Sequence, residues 1–162
     1  MNRFVLMTAI AVITAACTMG AILGTKELVI IQALTEYGEA IGAAFQIIDD
    51  LLDFVADPAK FGKKSFSDLR EGKLTFPMIY TRQVCTPEER ANLARIFNTE
   101  TDENSSIEWI ESLLRRYRIQ EYCIGIAQEY ADHAKSTLVV LPDTPARRAL
   151  EQLADYVVSR DR

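Results

Sequence analysis

The sequence predicts an all-α protein, and three observations lead there. Apolar residues recur at helical rather than alternating spacing along most of the chain. Short alternating or β-branched runs bounded by turn residues, the mark of strands, are weak. The breaks between periodic segments are brief and carry capping and turn residues, as in "GTKE", "CTPEE", "NTETDENSS" and "LPDTP". A length of 162 residues suits one domain covering residues 1–162.

Helices are expected, in order, at 4–23, 26–56, 74–84, 87–97, 104–117, 119–140 and 144–160. The first admits three readings. "MNRFVLMTAIAVITAAC" has an early positive charge, an apolar run and small residues before Cys17, as in a lipoprotein signal. Residues 4–23 carry no charge, which also suits a membrane helix. A helix apolar all round is equally a buried helix of a large protein. Thr8, Thr14 and Thr18 moderate the hydrophobicity, and the apolar pattern runs on through "MGAIL" without a polar spacer, which favours burial. Further along, Thr86 is the expected cap of the fourth helix, with Pro87 at its first position and Glu88 and Glu89 in its first turn. Thr144 and Pro145 open the last helix in the same way. The long irregular stretch is 57–73, "DPAKFGKKSFSDLREGK". Loops of that length inside a compact domain are usually functional or disordered.

A net charge of −5 argues against general binding to nucleic acid or anionic lipid. Cys17, Cys85 and Cys123 are odd in number and lack metal-ligand spacing, so neither a disulfide framework nor a cysteine metal site is indicated. A reducing compartment is the simplest reading. The single histidine, His133, excludes a His-rich metal site and is expected to be a surface or packed residue.

The second helix carries the chemistry. At about 100° per residue, Gln46, Asp49, Asp50 and Asp53 share an arc of roughly 100°, with Gly42 in the same sector. Ile41, Phe45, Ile48, Leu52 and Val55 gather on the far side. Like charges three or four residues apart cost a helix about 0.2–0.5 kcal/mol per pair, and aspartate is a poor residue inside a helix. No basic residue stands between Glu39 and Lys60 to offset them. A solvated acidic face is the bland reading. The functional one is a hard divalent cation such as Mg²⁺, which is held by one or two carboxylates and shared with substrate phosphates. The following loop supplies the opposite sign: Lys63, Lys64, Arg70 and Lys73 lie within eleven residues, and Gly62 and Gly72 permit close backbone approach. Two unit charges 4 Å apart interact by about 4 kcal/mol at an effective dielectric of 20. A diphosphate with metal on one side and lysines on the other would be well held.

With these residues assembled, "GAAFQIIDDLLDFVADPAKFGKKSFSDLREGKLTFPMIY" resembles the second aspartate-rich motif and trailing lysine loop of the trans-isoprenyl diphosphate synthases, the polyprenyl synthetase family. "AACTMGAIL" is similar to the helix before that motif, and "LADYVVSRDR" to the C-terminal helix. The resemblance covers nearly the whole chain but only the C-terminal half of the family fold. It implies an all-α helical bundle of the isoprenoid synthase type, truncated at its N-terminal half, and usually a homodimer. It implies Mg²⁺-dependent condensation of isopentenyl diphosphate with an allylic prenyl diphosphate, in which metal and basic groups stabilise the departing diphosphate. It assigns Mg²⁺ to Asp49, Asp50 and Asp53, catalysis to Asp49, Asp50, Lys63 and Lys73, and substrate contact to Phe45, Gln46, Lys63 and Lys73. Lys64 and Arg70 receive no role. A cytoplasmic location without membrane insertion follows, because a signal peptide would be cut from a helix the fold needs.

The chain departs from the family pattern in three places. The first aspartate-rich motif and the isopentenyl-diphosphate-binding elements have no counterpart in these residues. Met7-Thr8 is the nearest match to the Lys-Thr pair of the preceding helix, one position out of register. Phe66 stands where many relatives have glycine. The isolated chain is therefore expected to be inactive or nearly so, and to self-associate or depend on the missing N-terminal half. A non-catalytic subunit that folds onto a complete synthase is the alternative.

Overall fold

The computed structural model describes residues 3–55, 73–98 and 103–160. Among them every regular element is helical, as expected: α1 (Arg3–Gly24), α2 (Leu28–Val55), α3 (Phe76–Val84), α4 (Pro87–Asn98), α5 (Glu103–Arg116), α6 (Ile119–Thr137) and α7 (Pro145–Ser159). The expected helix 119–140 stays α-helical only to Thr137 and tightens to a 3₁₀ turn over Leu138–Val140. The chain forms two compact units, Met1–Ile48 with Ile124–Arg162, and Asp49–Cys123. The divisions fall inside α2 and inside α6.

In the first unit, α1 lies directly against α2. A Cβ on Gly38 would stand 2.8 Å from the Thr14 Cα, and one on Gly42 would stand 2.9 Å from the Ile10 Cα. Hydrogen is the only side chain that fits either contact, so two glycines one helical turn apart set the approach of the helices. The threonines that temper the hydrophobicity of α1 are satisfied inside it. Thr14 and Thr18 donate back to the carbonyls of Ile10 and Thr14, each at 2.8 Å. The Thr18 hydroxyl also meets that of Thr35 on α2 at 2.9 Å. Alanines dominate the remaining core: Ala33, Ala40, Ala44, Ala127, Ala131, Ala134 and Ala154 are buried. Tyr37 is buried with them and donates its hydroxyl to the Leu150 carbonyl at 2.9 Å. Burial, reinforced by Cys17, pushes its phenol up to about 12. Thr144 caps α7 by accepting from the Arg147 amide at 3.2 Å, with Pro145 at the first position as expected.

The segment Leu28–Phe54 is long and apolar enough to cross a membrane by length and a mean hydropathy of 1.2. In the fold its later turns are buried, with Tyr37, Ile41, Ile47, Ile48, Leu51 and Phe54 among the buried side chains, while Leu28 and Val29 at its start are exposed.

The second unit has a larger-residue core of Phe54, Met78, Cys85, Leu93, Ile110 and Leu113, with Trp109 and Tyr117 packed against it. Thr86 and Glu89 form the capping box of α4: the Thr86 amide donates to Glu89 Oε2 at 3.0 Å, and the Glu89 amide to Thr86 Oγ1 at 3.2 Å. Glu89 also accepts from Arg116 at 2.6 Å and from the Tyr117 hydroxyl at 2.7 Å, tying α4 to the end of α5. Tyr80 and Tyr122 stack with centroids 3.5 Å apart, which joins α3 to α6. The cysteines Cys17, Cys85 and Cys123 are all free thiols.

Candidate functional site

α2 carries Phe45, Gln46, Asp49, Asp50 and Asp53 on consecutive turns. The expected single acidic face is not uniform. Asp49 is exposed and Asp53 half-buried, whereas Gln46 and Asp50 retain only 7% and 5% exposure. The reason is that α2 is enclosed on most sides, so neighbouring positions on one arc meet different surroundings. Gly42, which shares that arc, meets the backbone of α1. On the opposite side Ile41 and Ile48 are buried as expected, while Phe45 and Leu52 are half-buried.

In the first unit, Phe45 is held from α7. The Arg160 guanidinium lies 4.0 Å from the centroid of its ring, and Nη2 donates to the Phe45 carbonyl at 3.2 Å. Arg160 was not among the residues singled out from the sequence. The contact spans 115 positions, and no local pattern announces it.

In the second unit, Asp50 Oδ2 accepts the backbone amide of Phe76 at 2.9 Å. Phe76 is the first residue of α3, so this carboxylate closes the helix N-terminus. Thr75 occupies the cap position in extended conformation, yet its side chain makes no capping bond. Its Oγ1 is buried without a hydrogen-bond partner. The charge of Asp50 also reaches Cys123, whose thiol is pushed up to about 12, by burial first and by Asp50 second. Lys73 is half-buried and lies three residues before Phe76 in the strandless approach to α3. Lys63, like Lys64, Arg70, Gly62, Gly72 and Phe66, lies outside the described residues.

Among the described residues, no three Asp, Glu, His or Cys side chains converge closely enough to cage a metal ion. A cation at this face would meet one exposed carboxylate, Asp49, with Asp53 one helical turn on. That fits Mg²⁺, which keeps most of its water and takes one or two protein carboxylates alongside substrate phosphate oxygens. It does not fit a structural ion, which needs a complete shell of protein ligands.

Residues 2–114 match the family model for polyprenyl synthetase, and the chain belongs to that family. It is 39% identical over 151 residues to the short chain isoprenyl diphosphate synthase of Methanothermobacter thermautotrophicus, which covers 93% of this chain and 46% of that one. Its fold is similar to the crystal structure of geranylgeranyl pyrophosphate synthetase from Pyrococcus horikoshii, with a TM-score of 0.85 and 34% identity over 94% of this chain and 46% of the other. A polyprenyl synthase from Caulobacter crescentus, solved as a complex with calcium and isoprenyl diphosphate, superposes with a TM-score of 0.80 and 34% identity, covering 91% of this chain and 45% of that one. The chain thus spans just under half the length of the relatives it matches.

Proposed function

We propose that this chain supplies the second aspartate-rich half of a Mg²⁺-dependent prenyl diphosphate synthase, which joins isopentenyl diphosphate to an allylic prenyl diphosphate. The observation that carries the reading is Asp49, an exposed carboxylate between the buried neighbours Ile48 and Asp50, with Asp53 a turn beyond it. The Caulobacter relative's complex with a divalent cation and isoprenyl diphosphate supports it. Asp49 would be the principal ligand of the metal, and Asp53, one turn on, would support it. Asp50 completes the motif from the buried side. Lys63 and Lys73 contact the allylic diphosphate, and Phe45 and Gln46 line the substrate site. Magnesium, when bound, neutralises the diphosphate as it departs. The protein's own part is to orient that group and offer fixed positive charge, which needs no protein nucleophile. The working location is the cytoplasm, and the assembled enzyme is a homodimer.

A second reading, a non-catalytic subunit seated on a complete synthase, draws on one observation. Val12, Met19, Ile22 and Leu23 of α1, with Leu28 and Val29 of α2, are exposed apolar residues. Such a surface calls for a partner. Co-purification of a stoichiometric longer synthase would favour this reading over self-association.

The direct test is thermal denaturation with MgCl₂ and inorganic diphosphate together. Ligand that binds only the folded chain raises the midpoint. We expect a rise with both present and none in Asp49→Ala. An equal rise in that variant removes Asp49 from the site. The isolated chain should form little or no radiolabelled prenyl diphosphate.

A further inference from the structure

We propose that Asp50 is a positioning residue: it joins the aspartate-rich helix to the start of α3 and fixes the backbone that carries Lys73, leaving Asp49 and Asp53 to face the metal. The proposal deepens the reading above and rests on it for the roles of Asp49 and Asp53.

Adjacent aspartates on one helix meet opposite surroundings here. Asp49 is exposed, while Asp50 keeps 5% of its surface and has Oδ2 committed to the Phe76 amide at 2.9 Å. An ion that retains several waters needs open space around its ligand, and Asp50 offers little. The start of α3, in contrast, has a specific need for a carboxylate. The first amides of a helix lack intrahelical partners. Pro77 at the second position has no amide, so Phe76 carries the first free donor of the turn. The side chain at the cap position, Thr75, could reach only the amides of the second and third positions, and its hydroxyl is buried without a partner. A distant carboxylate has taken over the cap, and its negative charge also sits favourably at the positive end of the helix. Phe76 is held a second time through its ring, which stacks with Tyr122 at 6.5 Å and an interplanar angle of 7°. With Phe76 fixed at both amide and ring, the three residues leading back to Lys73 have little freedom. Lys73 is thereby tethered three residues from the point where Asp50 ties α3 to α2.

Asparagine caps a helix about as well as aspartate, whereas alanine does not. Three variants of the full 162-residue chain separate the roles: Asp50→Asn, Asp50→Ala and Asp49→Asn. Two measurements are made on each. The first is amide hydrogen exchange at Phe76 without ligand. The second is the shift in thermal midpoint with MgCl₂ plus inorganic diphosphate. Asp50→Asn should leave Phe76 protected as in the parent chain and keep the ligand shift. Asp50→Ala should speed Phe76 exchange roughly fivefold, the loss of a typical cap, and reduce the shift. Asp49→Asn should leave Phe76 protected and lose the shift. The proposal is overturned if Asp50→Asn loses the shift as completely as Asp49→Asn with Phe76 still protected, because Asp50 is then a ligand. It is equally overturned if folded Asp50→Ala leaves Phe76 exchange unchanged. Should Asp50→Ala fail to fold, Asp50→Asn alone decides. A parent chain with no shift at all sinks the metal–diphosphate reading, and the exchange measurement still decides the cap.

Discussion

The guanidinium of Arg160 lies over the ring of Phe45, 4.0 Å from its centroid, and donates to the carbonyl of the same residue at 3.2 Å. One side chain at the end of α7 thus grips one residue of α2 twice. A cation over an aromatic face contributes about 0.5–2 kcal/mol depending on desolvation, and a hydrogen bond from a charged donor about 1.5–3 kcal/mol.

Replacing Arg160 should therefore cost more than an average surface change. Arg160→Ala is expected to lose about 2–3 kcal/mol, the lower part of the two contributions together, because it removes both contacts of a half-buried side chain. For a chain of this size that lowers the midpoint by a few degrees, on the order of 2–4 °C per kcal/mol. Arg160→Lys should recover only part, since an ammonium cannot lie over the ring and reach the carbonyl in the same planar arrangement. Thermal denaturation followed by circular dichroism checks both. Equal midpoints for all three proteins would mean the contact carries no stability.

The glycines make a paired prediction. At Gly38 and Gly42 an added methyl would collide with backbone atoms of α1 at 2.8 and 2.9 Å. Gly38→Ala or Gly42→Ala should push α1 from α2 and cost about 1–3 kcal/mol. Around Gly20 in α1 and Gly125 in α6 nothing lies within 4 Å. There the same change should stabilise by about 0.5–1 kcal/mol, because alanine loses less backbone freedom in a helix interior. Urea denaturation of the four variants should divide them into two groups of opposite sign.

These contrasts mark what could be read in advance. The helix ladder was legible because each helix announces itself locally, by apolar spacing and by caps such as Thr86 with Glu89 and Thr144 with Pro145. The aspartate helix was legible because Asp49, Asp50 and Asp53 break local preference together. The different fates of Asp49 and Asp50 were not. Burial at Asp50 depends on α3 arriving 26 residues later, and its bond to Phe76 leaves no trace in local spacing. Gly42 shares the acidic arc, yet it meets the backbone of α1, a contact that the spacing of the arc does not announce. Arg160 reaches Phe45 from the far end of the chain, beyond any periodicity. Local rules read elements; long-range contacts decide which residues within them are free to act.

Glu89 gives the fold a pH-dependent component. Its carboxyl is held below the usual range, first by the Tyr117 hydroxyl, then by the Thr86 backbone and by Arg116. A folded pKa below the unfolded one means the unfolded chain binds a proton more readily. The stabilisation is therefore present above the unfolded pKa, and it is lost as pH falls through the folded pKa. Glu89→Gln keeps an acceptor for Thr86 and Tyr117 but loses the charge opposite Arg116. It should be less stable than the parent chain near neutrality and approach it on acidification. A difference in midpoint that stays constant from pH 7 to pH 3 would show that Glu89 acts through shape rather than charge.

Cys123 should be chemically silent while the chain is folded. It is fully buried, and its thiol is pushed up to about 12, by burial first and by Asp50 second. The thiolate is the reactive form, so near pH 8 almost none is present, and none of the side chain meets solvent. Alkylation by iodoacetamide must wait for an opening that exposes α6, and its rate then follows the population of that open state. Asp50→Ala alters two terms at once. It removes the negative charge that helps hold the thiol protonated, and it loosens the start of α3. Both changes act in the same direction, so modification of Cys123, read by peptide mass, should speed up in that variant. Asp50→Asn removes the charge but keeps the cap, and it should fall between the two. Cys17, half-buried in the other unit and raised by burial alone, serves as the internal standard. If its rate rises in step with that of Cys123, the opening is global, and the cap at Phe76 is not what guards this thiol.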